Sequence, residues 1–141
     1  SLADCTGILI YDRLNKVIAA IHSGWRGTKL NIATKTISLL KEKFKSNPDD
    51  LLVYLTPSAS GKNYEVDWDV AQHFPNFAKK IKNGKYLYDN SSQIKQQLIF
   101  NGVKESNIEH STICTIENKE FHSYRRDKDK SGRMSAFIGM I

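Results

Sequence analysis

Cys5 and His22 are the two side chains here whose types and spacing best suit chemistry. A thiolate and an imidazole together bind a borderline-soft cation such as zinc, or act as a nucleophile and its base. They flank two apolar runs, Gly7-Ile8-Leu9-Ile10-Tyr11 and Val17-Ile18-Ala19-Ala20-Ile21, separated by the polar Asp12-Arg13-Leu14-Asn15-Lys16. Short apolar runs bounded by turn residues read as strands, here joined as a hairpin. Pairing Asp12 with Val17 sets the register and places Cys5 opposite Gly24. His22 is then a diagonal neighbour of Cys5 on the same face, roughly 7–8 Å away. Taken singly, a cysteine is more often a small buried hydrophobe, and a histidine more often a structural residue. Only the hairpin makes them a pair.

Other residues invite weaker readings. Arg26 lies four positions beyond His22, and Arg125-Arg126 precede Asp127. Arginine forks suit phosphate, while an ion pair with Asp127 or Asp129 is an equally open role for the second group. Trp25 and Tyr124 offer flat faces for a purine or simply pack. Glu65, after Tyr64, is an acid/base carboxylate or the partner in a salt bridge. His73, His110 and His122 read as surface or structural residues, and Cys114 as structural. The loop Ser58-Ala59-Ser60-Gly61-Lys62-Asn63 lacks the spacing of a phosphate-binding P-loop.

The elements that must position these residues follow from periodicity. From Thr28 to about Ser46, the residues Leu30, Ala33, Ile37, Leu40 and Phe44 recur at helical spacing, predicting one apolar face. Asn47-Pro48-Asp49 ends that helix. Leu51–Leu55 reads as a strand, Val66–Phe77 as one or two short helices broken at Pro75, and Lys85–Tyr88 as a short strand. Asn90 followed by Gln93 resembles a capping box opening a helix through Ile94 and Leu98, closed at Gly102. Asn107–Thr115 and Arg133–Ile141 read as returning strands. The class is α+β (mixed α/β), one domain over residues 1–141.

Composition narrows the function classes. Forty per cent hydrophobic and 26% charged residues are ordinary for a globular protein. No apolar run approaches the ~20 residues of a membrane helix, so no membrane partner is expected. The net charge of +6 comes from scattered lysines, which favours a solvated surface over a nucleic-acid partner and leaves room for a small anion such as phosphate. Two cysteines make no disulfide framework, which points to a reducing cytoplasm. Composition is silent on oligomeric state.

The blocks Ala3-Asp4-Cys5, Leu9-Ile10-Tyr11-Asp12, Val17 to Thr28 with its His22-Ser23-Gly24-Trp25-Arg26-Gly27 core, Tyr64-Glu65-Val66-Asp67, Cys114-Thr115, Ser123-Tyr124-Arg125-Arg126-Asp127 and Gly132-Arg133-Met134 resemble the bacterial laccase-domain family. That family is also called the multicopper polyphenol oxidoreductase or purine nucleoside phosphorylase/adenosine deaminase family. The resemblance spans essentially the whole chain. It implies an α/β/β/α layered sandwich related in architecture to the cytotoxic necrotizing factor deamidases. It also implies a catalytic zinc held by Cys5, His22 and a third histidine from a segment upstream of the Ala-Asp-Cys block, so the family's N-terminal part is missing from this sequence. The implied substrates are a small-molecule purine nucleoside (adenosine, inosine, guanosine or methylthioadenosine) and phosphate, the latter held by Arg26, Arg125 and Arg126.

Three alternatives stand beside this. A copper-dependent polyphenol oxidase is the activity behind the family's older name, but four histidines and no His-x-His pair suit copper poorly. A cysteine hydrolase or deamidase would use Cys5 as nucleophile and His22 as base. An inactive fragment is the third. Two departures from the family pattern bear on the site: Thr6-Gly7 stands where proline usually follows the first cysteine, and Asn63 where a cysteine often precedes Tyr-Glu-Val.

Overall fold

The computed structural model describes residues 1–141. In chain order the elements are β1 (Thr6–Asp12), β2 (Val17–Ser23), α1 (Trp25–Lys29), α2 (Ile32–Phe44), β3 (Leu51–Leu55), β4 (Glu65–Val66), α3 (Trp68–Ala71), β5 (Ala78–Lys80), β6 (Tyr86–Tyr88), α4 (Asn90–Phe100), β7 (Ile108–His110) and α5 (Tyr124–Asp127). Helices and two separate sheets make this an α+β fold, as the periodicity predicts.

The hairpin has the expected register, from Asp12 opposite Val17 to Thr6 opposite Ser23. Its turn is built by Asp12. The buried carboxylate accepts from the N–H groups of Leu14 and Asn15, both at 3.0 Å, and from the Asn15 amide at 2.8 Å. Aspartate side chains often mimic backbone in this way. β1 lies between β2 and β3, both antiparallel to it, and β7 joins β3 in parallel, giving the order β2-β1-β3-β7.

Strand alternation sends Ile8, Ile10, Leu51, Val53 and Leu55 to one face, where Ala33, Ile37 and Leu40 of α2 and Ile94 and Leu98 of α4 cover them. The other face carries Leu9, Tyr11 and Tyr54, all partly buried, and Leu52, which is exposed. Residues of the C-terminal segment, Ile138 among them, line shallow pockets against it. The second sheet, in the order β4-β6-β5, has its own core of Val66, Val70, Ala71, Phe74 and Tyr88. There the Phe74 and Tyr88 rings stack at 4.3 Å. Of the expected layering the chain thus forms one helix layer on a four-stranded sheet, with the small sheet as a separate unit of structure.

Several elements differ from the periodicity reading. The single helix from Thr28 is two helices, broken at Asn31 in the left-handed region (φ 55°, ψ 43°). The break resets the helical phase, so Leu30 is exposed. Phe44, in the last turn beside left-handed Lys45, is exposed as well. The cap of α4 is Asp89, whose carboxylate accepts from Ser92 N–H at 3.0 Å, while Asn90 turns inward. Only Ile108–His110 of the expected 107–115 strand is a strand. The Arg133–Ile141 segment is irregular, with a single bridge from Met134 to Leu2. Phe137, Met140 and Ile141 are exposed, so no sheet partner takes up that segment's apolar alternation. β5 carries two adjacent lysines, which hid it from a hydrophobic pattern.

Candidate functional site at the hairpin mouth

β1 and β2 end at the Thr6–Ser23 pair, and one step further Cys5 meets Gly24. A Cβ built on Gly24 would stand 2.8 Å from the Cys5 sulfur, closer than real Cβ contacts come. Glycine at this position therefore leaves the sulfur its place. His22 is paired with Gly7 and exposed. Alternation puts Cys5 and His22 on the sheet face opposite the helices.

The surroundings of Cys5 keep its proton on. Burial pushes the thiol up, and the neighbouring Asp4 carboxylate adds to the effect. Asp4 is an organising residue. Its backbone is in the left-handed region (φ 84°), which aspartate tolerates better than most residues. Its carboxylate accepts from the Thr115 hydroxyl and from the Arg125 N–H, each at 2.7 Å, and its carbonyl accepts from Ala59 N–H at 2.9 Å. These bonds tie the start of α5 and the loop after β3 to the beginning of β1.

The Arg125 guanidinium lies over the Tyr64 ring, 5.3 Å from its centre, a cation–π arrangement. Burial raises the Tyr64 hydroxyl above its ordinary value, with the Cys5 and Asp4 charges adding and Arg125 opposing. Tyr64, Arg125, Asp4 and Cys5 therefore share one neighbourhood. Arg26 is exposed in α1 and stacks on its neighbour Trp25 at 4.3 Å.

Arg126 behaves differently from Arg125. Its guanidinium donates to both carboxylate oxygens of Asp127, at 2.9 and 2.7 Å, and to the carbonyls of Thr115 (2.8 Å), Ile116 (3.2 Å) and Phe121 (2.9 Å). Every donor direction is engaged within the chain. The expectation that Arg126 holds phosphate meets a fork already occupied, so it is a brace for the loop before α5.

The remaining residues stand apart. Glu65 is exposed on β4. Cys114 is buried and accepts from Ser60 N–H at 3.4 Å. His73 meets the Lys29 ammonium at 3.0 Å, His110 sits on β7, and the His122 ring packs against Gly132. Tyr124 carries Arg133 over its ring at 5.5 Å. A cavity of about 800 Å³, whose wall includes Ser60, Phe77, Asp89 and Cys114, contains none of the proposed site residues.

No three His, Cys, Asp or Glu side chains are grouped to hold a metal ion. Cys5 and His22 do offer a soft sulfur and an imidazole from one sheet face. That chemistry fits zinc as two of its ligands. Sequence reasoning missed Asp4 as an organiser and Tyr64 as the seat of Arg125. The first was signalled by an acidic residue directly before the cysteine. The second carried no local signal, because residues 61 positions apart meet only in the fold.

The fold and sequence together define a class. The family model described as multi-copper polyphenol oxidoreductase laccase matches residues 1–141, and the chain belongs to that family. It is 34% identical over 146 residues to purine nucleoside phosphorylase YlmD of Bacillus subtilis, covering 98% of this chain and 52% of that protein. It is 36% identical over 146 residues to purine nucleoside phosphorylase YfiH of Escherichia coli, covering 99% and 57%. The crystal structure of Bacillus licheniformis hypothetical protein YfiH superposes with a TM-score of 0.89 at 30% identity, covering 94% of this chain and 53% of that one. The chain thus spans about half the length of these relatives. None of its helices is long and apolar enough to cross a membrane.

Proposed function

We propose that this chain carries part of the active site of a zinc-dependent purine nucleoside phosphorylase that also deaminates adenosine, working in the cytoplasm. The observation that supports the reading is the hairpin mouth: Cys5 and His22 on one face, with the Cys5 sulfur seated against Gly24. Cys5 Sγ and the His22 imidazole would hold the zinc, which when bound lowers the pKa of a coordinated water towards neutrality.

The chain's own residues serve the other needs of the reaction. In phosphorolysis a phosphate oxygen bonds to the anomeric carbon as the bond to the purine nitrogen breaks, and the base leaves with a proton. Arg125 and Arg26, resting on aromatic rings instead of carboxylates, are available to hold that phosphate and to balance its charge.

One observation weighs against the copper alternative: a copper oxidase would need clustered histidines, and the other three here lie apart, His110 on β7 and His73 and His122 in turns and loops.

The test is zinc by mass spectrometry and hypoxanthine release from inosine with phosphate, on the chain and on Cys5→Ala and His22→Ala at matched folding. Each variant should lose bound zinc, and the double variant should lose little more, because the two donors act as a unit. With only two donors the 141-residue chain should bind zinc weakly. Full zinc retention in Cys5→Ala would sink the reading.

A further inference from the structure

We infer that Asn90 is a positioning residue for the Cys5–His22 pair, a role that rests on reading those two side chains as metal donors. Asn90 is the first residue of α4, and its side chain is buried at 4% exposure. Its amide oxygen accepts from the Thr28 hydroxyl at 2.7 Å and from the Tyr88 hydroxyl at 2.9 Å. Its amide nitrogen donates to the Ser23 carbonyl at 2.9 Å and to the Thr6 hydroxyl at 3.3 Å. All four hydrogen-bonding positions of the carboxamide are filled.

The two residues that receive the amide N–H groups decide the role. Thr6 and Ser23 are the last opposed pair of the hairpin, and each is the immediate sequence neighbour of a donor, Cys5 or His22. Both are fully buried, on the helix-facing side of the sheet. Alternation then points Cys5 and His22 to the opposite side. A clamp on the inward pair therefore sets the direction of the outward pair, much as outer hydrogen bonds orient metal-binding side chains directly. The other half of the amide is anchored by α1 through Thr28 and by β6 through Tyr88. The clamp thus joins the mouth of the large sheet to the small sheet and to two helices.

Carboxamide polarity makes the proposal testable. In Asn90→Asp the acceptor for Thr28 and Tyr88 is kept, but a carboxylate oxygen faces the Ser23 carbonyl in place of an N–H. Tyr88→Phe does the reverse, removing one anchoring donor and leaving the arm to the hairpin. The experiment measures zinc dissociation constants, by competition with a chromophoric chelator, for the chain, Asn90→Asp, Tyr88→Phe, Thr6→Val and Cys5→Ala, each with a thermal unfolding curve. Asn90→Asp should bind zinc about 10–100-fold more weakly, the usual cost of an outer-shell change. Tyr88→Phe should bind as the parent chain does, even where its melting temperature falls as far. Thr6→Val removes one arm at nearly constant volume, so it should weaken zinc even if Asn90→Asp does not fold.

Unchanged affinity in Asn90→Asp, or in Thr6→Val should Asn90→Asp not fold, overturns the inference while leaving the donor assignment standing. Equal loss in Tyr88→Phe also overturns it, since that outcome marks a general scaffold effect. Unchanged zinc binding in Cys5→Ala removes the donor assignment and this inference together.

Discussion

The two faces of β1 divide the labour of this molecule. Thr6, Ile8, Ile10 and Asp12 point to the helices and are at most 1% exposed. Cys5, Leu9 and Tyr11 alternate with them on the other face and are only partly buried. One face holds the fold together; the other leaves Cys5 and its neighbours partly open to solvent. The difference follows from physical constraints that a single environment cannot meet. Dense apolar burial supplies most of the stabilisation, whereas a thiol and an imidazole must stay reachable to bind anything. A strand with its two-residue period serves both needs without lengthening the chain.

The largest effect should come from cutting the inward face. Ile10→Ala should cost about 2–5 kcal/mol, the usual range for emptying a packed core position. Leu9→Ala, one residue away, should cost about 1 kcal/mol or less. Urea unfolding of both variants checks this, and equal losses would erase the distinction between the faces.

Asp12 sharpens the comparison through pH. Burial alone would raise its pKa. The Asn15 and Leu14 hydrogen bonds, with the Ser46 hydroxyl beside it, outweigh burial and hold it at about 2, below the ordinary 3.8. Because the folded value is depressed, its stabilisation is complete above the unfolded value and is lost as pH falls through 3.8 towards 2. Asp12→Asn should therefore lower the urea midpoint at pH 6, with the gap to the parent chain closing near pH 2. A gap that stayed constant over that range would assign the Asp12 contribution to packing alone.

The smallest effect on stability, and a large one on the outward face, is expected of Gly24→Ala. The added Cβ must displace the Cys5 sulfur, so zinc affinity should fall at least tenfold while the melting temperature moves little. Unchanged zinc binding would place the ion away from this sulfur.

Much of this was legible in the sequence because it depends on local pattern. The hairpin register followed from two apolar runs and a five-residue polar turn, since a one-residue slip would turn every buried side chain outward. β3, β6 and α4 were visible for the same reason, and so was the placement of Cys5 opposite Gly24. The α+β class followed from mixing the two periods.

What the tertiary structure decided is what depends on partners distant in the chain. Whether Leu30 and Phe44 join a helix face depends on the left-handed break at Asn31, which periodicity does not record. The Arg133–Ile141 segment has a strand's alternation but no partner to pair its backbone, and a strand exists only with one. Arg125 and Arg126 are adjacent and alike in type, yet one rests on the Tyr64 ring while the other is consumed by Asp127 and backbone carbonyls. Asn90 reads as a helix cap and serves as a clamp between strand ends 84 and 67 positions away. The sequence alone determined which residues alternate along the strands. Which polar groups find each other was decided by folding, because a hydrogen bond depends on direction and distance across the whole chain.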